Sequence, residues 1–363
     1  MENAKIFAEV LDPKALEQFE SAMAQPFSVK GALMPDAHAG YALPIGAVVA
    51  TDGVIVPSWI GYDIGCGMCA VHTTFSRFAV TVNAQNIFDA IYENIPVGFC
   101  HNNRDSNWDY LDIPRTSVLS DIFAKNGLRQ LASLGSGNHF IEVGYDTNDA
   151  VCIIVHSGSR GIGHAVATHY MKLASGDGKA REGHFGFSVG SQNGQDYISD
   201  MNFCLAFALE NRIQIIERVC QAIEQFCGGW RDPECINRNH NHAEFKDGLW
   251  IHRKGATHAE AGMMGVIPGN MRDGSFIVQG KGNPDALWSS SHGAGRVLGR
   301  KDAQRTLSMD QFGETMRGIV AKVDADTLDE SPFAYKDIFE VMRQQSDMVE
   351  IKQHVRPIIN IKG

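Results

Sequence analysis

Apolar residues along the chain switch between helical and strand spacing. From Asp12-Pro13 to about Ala24 the spacing is helical, with aspartate as the cap and proline in the first turn. Ile45 to Ala50 and Val54 to Val56 are β-rich runs on either side of Thr51-Asp52-Gly53, a hairpin signal. Asn83 is placed to cap a helix through Ile95, stopped by Pro96. Val151 to Val155 is a short apolar run of the kind found in buried strands. The strongest helix begins near Ser199. Leu205, Leu209, Ile213, Ile216, Val219, Ile223 and Phe226 recur at three- and four-residue spacing, and Gly228-Gly229 ends the run. That stripe reads as core. Ser308 with Gln311 resembles a capping box before another helix, and Val349 to Ile361 reads as extended. Strands and helices interleave without regular alternation, and no repeat, low-complexity tract or linker interrupts them. The pattern predicts an α+β fold class, with residues 1–363 forming a single compact mixed body.

Composition narrows the class. Of 363 residues, 44% are hydrophobic and 20% charged, which excludes a disordered chain. The formal charge of −10 argues against a basic protein that coats nucleic acid, though not against a local basic site. The first residues lack a basic region leading into an apolar stretch, and no run reaches the roughly 20 apolar residues of a membrane span. A cytoplasmic protein with no membrane partner is expected. The 8 cysteines are too scattered for a disulfide framework.

The chemistry lies in short islands rich in glycine and histidine. They are Met34–Gly40, Asp63–Gly67, Gly135–His139, His156–Gly161, His240-Asn241, His252–Gly255 and His292–Arg296. Glycine lets backbone approach a ligand closely, and histidine binds metals or moves protons. So many islands in a chain with 14 histidines favour one composite site. Asp63-x-x-Cys66 offers a carboxylate and a thiolate four residues apart, and histidines from other islands would complete a mixed O/N/S ligand set. A Cys66/Cys69 redox pair and a structural zinc site are the competing readings; the first lacks a thioredoxin-like βαβ setting, the second a further C-x-x-C pair. The chain has neither a P-loop nor an H-E-x-x-H motif. From His252 to Arg305 it is locally basic, either a phosphate-binding track or a solvated surface.

Six of these segments, in order, resemble the RtcB family of RNA ligases. They are Met-Pro-Asp-x-His-x-Gly at Met34–Gly40, Asp-x-Gly-Cys-Gly at Asp63–Gly67, Gly-Ser-Gly-Asn-His-Phe at Gly135–Phe140, Val-His-Ser-Gly-Ser-Arg-Gly at Val155–Gly161, His-Arg-Lys-Gly-Ala-Thr at His252–Thr257 and His-Gly-Ala-Gly-Arg at His292–Arg296. The likeness runs to the terminal Ile-Lys-Gly at Ile361–Gly363, and so covers essentially the whole chain.

The resemblance implies an RtcB-like catalytic fold. It also implies a GTP- and Mn²⁺-dependent ligase, with two ions expected. Such an enzyme joins an RNA 3′-phosphate or 2′,3′-cyclic phosphate to a 5′-hydroxyl through a histidine–GMP intermediate, in RNA repair or tRNA splicing. Carried over by motif, the metal ligands would be Asp63, Cys66, His139, His156 and His240, with His242 the alternative to His240. The nucleophile would be His292. Guanylate contacts would fall on Asn138, His139, Phe140, Ile141, Glu142, His240, Asn241, Pro268, Gly269, Asn270, Met271 and Ser275. The His292, Gly293, Ala294 and Gly295 turn and Lys362 would complete them. Arg253, Lys254, Arg296 and Arg300 are candidates for RNA phosphate contacts. The stretch between Cys66 and the Gly135 island is short for the family, and Val-Leu-Gly-Arg follows Arg296 where a Met-Ser-Arg-like ending is common. A metal-dependent phosphatase or cyclic phosphodiesterase, and a non-catalytic RNA-end-binding protein, are the alternative functions.

Overall fold

Period-two alternation builds the largest sheet. A computed structural model describes residues 3–363. In spatial order the strands are Met264–Pro268, Ser275–Gly280, Val349–Lys362, Phe140–Tyr145, Ala150–Ser157, Gly67–Ser76 and Ile236–Asn239. Every neighbouring pair along this path is antiparallel. The first and last strands return to contact, so the sheet nearly closes. One set of alternating residues, including Met68, Phe140, Cys152, Ile154, Val266, Ile277 and Val355, forms an inner apolar plug. The other set, including Cys69, Ile141, Val143, Ile153, Val155, Ile359 and Ile361, packs outward against Ile215, Ile216, Val219 and Ile223 of the helix Gln192–Glu224. By the same parity His156, Glu142, Asn360 and Lys362 belong to the inner set. The register sets Phe140 opposite both His156 and Lys362, and Glu142 opposite Asn360.

A second sheet orders Ala4–Ile6, Ser28–His38, Ile45–Thr51, Leu249–Lys254 and Asn241–Lys246. It carries the islands at 34–40 and 252–255. His240 falls between Ile236–Asn239 of the first sheet and Asn241–Lys246 of the second, so it marks where the two meet.

The helix Pro13–Met23, the strand Ala150–Ser157 and the strand Val349–Lys362 form where the pattern predicts. The hairpin at Thr51-Asp52-Gly53 does not. Gly53 turns at φ +63°, but Ile45–Thr51 already has partners on both edges, and Val54–Ile55 pairs with Phe187–Ser188 instead. Asn83 precedes the helix Ala84–Asn94, yet its side chain donates back to Ala79 O, closing the short helix Arg77–Val82. Ser308 caps Met309–Thr315 by accepting from Gln311 N. The long helix begins eight residues before Ser199, with Ser191 accepting from Gly194 N. Its first turns bury polar Asp200, which accepts from Thr116 and Tyr170 and so breaks the apolar stripe. Among the described residues no helix is long and apolar enough to cross a membrane, and all eight cysteines are free.

Two adjacent residues in the middle of the long helix are buried and polar. Asn211 donates to Ser133 O, Ser157 Oγ and Gly158 O, and accepts from Ser133 N. Arg212 donates to Gly65 O at 2.9 Å, Ser157 O at 2.8 Å, Asn237 Oδ1 at 2.7 Å and Asn239 Oδ1 at 2.7 Å. Burial pulls its guanidinium down to about 10, which leaves it charged at neutral pH. Arg212→Met would strand these buried acceptors, so we expect a loss of about 3 kcal/mol or more of unfolding free energy, measured by urea titration.

Candidate active site

Each strand end or turn tied to that helix carries one side chain into a common cluster. Cys66 Sγ lies 3.3 Å from His139 Nε2 and 3.1 Å from His156 Nε2. His156 Nε2 lies 3.3 Å from His240 Nε2, and His139 Nε2 lies 2.9 Å from Asp63 Oδ2. Two triads result, Cys66/His156/His240 and Asp63/Cys66/His139, with the Cys66 sulfur common to both. All five residues proposed from sequence as metal ligands are therefore brought together.

The donor set fits a cation. His139 Nδ1 donates to Leu134 O at 2.9 Å and His156 Nδ1 to Asn138 O at 3.1 Å, so both rings turn a bare Nε2 lone pair inward. Burial holds His156 and His240 well below the ordinary imidazole range, which keeps them neutral donors. Burial, with Asp63 beside it, pushes the Cys66 thiol well up. Facing lone pairs a little over 3 Å apart repel unless positive charge lies between them, and a metal ion would deprotonate the thiol outright.

His242, the alternative to His240, lies elsewhere. Its ring stacks on His258 at 4.8 Å, and its Nε2 accepts from Arg253 Nη1 at 3.3 Å. His242, Glu244 and His258 stand close enough to share an ion, but the Arg253 guanidinium already pairs with two of them, donating to Glu244 Oε1 at 2.6 Å as well as to His242.

His292 closes the cluster on its other side, its ring 4.8 Å from that of His240. Its Nδ1 donates to Asp36 Oδ2 at 2.7 Å, and the same oxygen accepts from the backbone N–H groups of His292 and Gly293. Asp36 is fully buried. The bond fixes the imidazole tautomer with its proton on Nδ1 and leaves Nε2 as the free lone pair. Sequence reading placed Asp36 in an island but gave it no role, because its partner lies 256 residues away.

A cavity of about 900 Å³ adjoins His292 and His156. Asn138, Phe140, Glu142, Pro268, Gly269, Asn270, Met271, Ser275, Gly293, Ala294, Gly295 and Lys362 all line it. Gly295 needs its φ of +75°, and a Cβ there would strike the Asp36 backbone. Four proposed guanylate contacts, Ile141, Asn241, His139 and His240, do not line this cavity. Ile141 packs outward into the core because it has the opposite strand parity to Phe140 and Glu142. Asn241 braces the metal loop instead, donating to Asp63 O and accepting from Gly255 N. His139 and His240 stand in the metal cluster and do not line the cavity.

Three buried polar atoms at this cavity have no protein partner: Glu142 Oε1, Ser275 Oγ and Asn360 Oδ1. Burial pushes the Glu142 carboxyl up to about 8 against the pull of the Ser275 hydroxyl facing it and of Lys362. Lys362 Nζ donates to Glu330 Oε2 at 2.7 Å, and Arg300 and Arg296 also pair with Glu330. Burial raises Glu330, but Lys362 and Arg300 bring it down to about 2. Asn360, Glu330 and Tyr335 escaped the sequence reading, since no motif marks them.

Of the proposed basic track, Arg253, Lys254, Arg296 and Arg300 are engaged by groups of the protein itself, while Lys301 and Arg305 stay exposed. Arg253 and Lys254 are buried, Arg253 on Glu244 and Ser289 and Lys254 on Ile60 O. Arg296 and Arg300 are held by Asp329 and Glu330. Strand alternation and buried carboxylates consume cations that read as a surface run in the sequence.

Comparison with known proteins follows this geometry. The family model described as tRNA-splicing ligase RtcB matches residues 18–110 and 104–363. The chain belongs to the RtcB family. The RNA-splicing ligase RtcB of Escherichia coli K12 is 34% identical, with 97% of this chain and 95% of that protein covered. The tRNA-splicing ligase RtcB of Thermococcus kodakarensis is 28% identical, covering 99% and 93%. An Entamoeba dispar RNA-splicing ligase RtcB homologue is 29% identical, covering 97% and 82%. The Thermococcus alignment spans 451 positions against 363 residues here, so that RtcB protein carries segments this one lacks.

Replacing Cys66 by Ala should lower the bound metal of the purified protein severalfold, whereas Cys69→Ala, on the outward parity, should leave it near wild type. Elemental analysis of both variants decides it; equal losses would restore a Cys66/Cys69 site.

Proposed function

We propose that this chain, an RNA ligase by family, joins RNA 3′-phosphate or 2′,3′-cyclic phosphate ends to 5′-hydroxyl ends with GTP and Mn²⁺, residues 1–363 acting as one catalytic unit. The observation that carries this reading is the buried Asp36 carboxylate on His292 Nδ1. A passive RNA-end binder has no need of a histidine held for nucleophilic attack beside a nucleotide-sized cavity, and a metal-dependent phosphatase attacks with metal-activated water instead.

The steps follow from that pair. The free His292 Nε2 attacks the α-phosphorus of GTP; an N–P bond forms, the bond to the bridging oxygen breaks, and pyrophosphate leaves. Asp36 stabilises the positive charge that develops on the ring. An oxygen of the RNA 3′-phosphate then takes the GMP from His292. The 5′-hydroxyl attacks the activated RNA phosphorus, expels GMP and leaves a phosphodiester. A 2′,3′-cyclic end must first be opened by water.

Guanine fits the unpartnered atoms of the cavity. Its N1–H and exocyclic N2–H₂ are donors, and Glu142 Oε1 and Asn360 Oδ1 are acceptors without donors. Asp63, Cys66, His139, His156 and His240 would hold the metal, which supplies positive charge against the phosphoryl oxygens. Intrinsic affinity at such a Cys/His set favours zinc over manganese, so the preference for Mn²⁺ rests on the family resemblance.

His292→Ala should abolish covalent labelling by [α-³²P]GTP and leave metal content near wild type. Denaturing gels and elemental analysis test this, and wild-type labelling of the variant would refute the assignment.

Guanine should bind the carboxylate form of Glu142, whose empty-site value is about 8. GTP affinity for the non-reacting His292→Ala protein should therefore rise from pH 6 and flatten above about pH 8. In titration calorimetry the added Glu142→Gln change should remove that slope.

A further inference from the structure

A second cleft, of about 1130 Å³, opens on Asp63 and His139. It shares no lining residue with the guanylate cavity. The two nevertheless converge, because His139 of one and His156 of the other both touch Cys66 Sγ. A group entering from each side meets the other at the metal cluster.

The cleft is built from a cation and aromatic rings. Arg160 is held by Nη2 donating to Gly98 O at 2.7 Å and Nε donating to Ser133 Oγ at 3.2 Å. Its backbone sits at φ +58°, a left-handed conformation that costs energy in a non-glycine residue and is found at functional sites. Tyr62 and His164 stack at 4.9 Å with planes 20° apart. Phe99, at the rim, is 97% exposed. An almost fully solvated phenylalanine beside an anchored arginine is unexplained by packing. It lies in the shortened stretch between Cys66 and the Gly135 island.

The protein has few other means of holding RNA. Its net charge is −10, Arg253 and Lys254 are buried, and Arg296 and Arg300 are paired with Asp329 and Glu330 at the other cavity. Stacking on aromatic rings holds single strands without a basic groove and tolerates any base.

Resting on the ligase reading above, we propose that this cleft receives the 3′-terminal nucleotide of the phosphate-bearing strand. Its base lies against the Tyr62–His164 stack and Phe99, and its terminal phosphate lies at Arg160 beside Asp63 and His139. The 3′ end is the occupant because a terminal phosphate answers the half-buried arginine and the metal cluster, whereas a 5′-hydroxyl carries no charge to match them.

The test is binding of short fluorescent RNAs to the full-length Mn²⁺-loaded protein, read by anisotropy at several salt concentrations. Phe99 and His164 are both exposed, so Phe99→Ala and His164→Ala should fold. Each should weaken binding of 3′-phosphorylated RNA about tenfold. Phe78→Ala, an exposed ring on a different surface pocket, should change nothing. The wild type should prefer 3′-phosphorylated over 3′-hydroxyl RNA. Unchanged affinity in both cleft variants, or no preference for the phosphate, would overturn the assignment. So would loss of GTP self-labelling in step with RNA binding, which would make the rings supports of the metal cluster. Should the wild type itself take no label from GTP, the ligase reading fails, and the cleft is still judged by the RNA measurements.

Discussion

Asn211 and Arg212 occupy a single turn of the long helix, and most of the metal cluster depends on them. Arg212 bonds to the turn that presents Cys66, to the strand end that presents His156 and to the strand that leads into His240. Asn211 holds Ser133, next to the Leu134 carbonyl that orients His139. Four ligands from four separate segments are thus referred to one rigid element. Burying a guanidinium is costly, and here the cost is offset by neutral oxygens and amides arranged around it, with Cys69, Cys66 and Asp63 among the nearby groups able to carry negative charge. A metal ion would add positive charge beside Arg212, and the thiolate and carboxylate it recruits balance both.

His292 is held by different means. Its orientation comes from a buried carboxylate on the second sheet, with two backbone N–H groups sharing the same oxygen. The Asp/Cys/His cluster hangs mainly on the first sheet and His292 on the second, and His240 at their junction touches both sides. The relative position of the two sheets therefore sets how His292 meets the cluster. The inner plug and the outward-packed helix, which set it, serve the chemistry as well as stability.

The acidic composition also becomes intelligible. Four of the cations that look like a nucleic-acid surface in the linear sequence, Arg253, Lys254, Arg296 and Arg300, are spent on carboxylates and carbonyls of the protein itself. The two cavities that meet at Cys66 use buried donors, unpartnered acceptors and aromatic rings. Such a site relies less on counterion release than a basic groove does.

The islands and several helices and strands were legible in the sequence, because they depend on local spacing and on side-chain chemistry, while the set at 63, 66, 139, 156 and 240 came through the family resemblance. Asp36 as the partner of His292, Asn360 in the cavity wall and the fate of Arg253 and Lys254 were not. These are decided by strand register and by parity across segments up to some 250 residues apart. Ile141 shows the difference most simply. Its motif placed it among the guanylate contacts, and a one-residue change of parity turns it into the core while Phe140 and Glu142 face the cavity. The sequence alone determined which chemical groups were available. Tertiary structure decided which of them face one another, since a strand sends successive side chains to opposite sides and only the assembled sheet says what each side is.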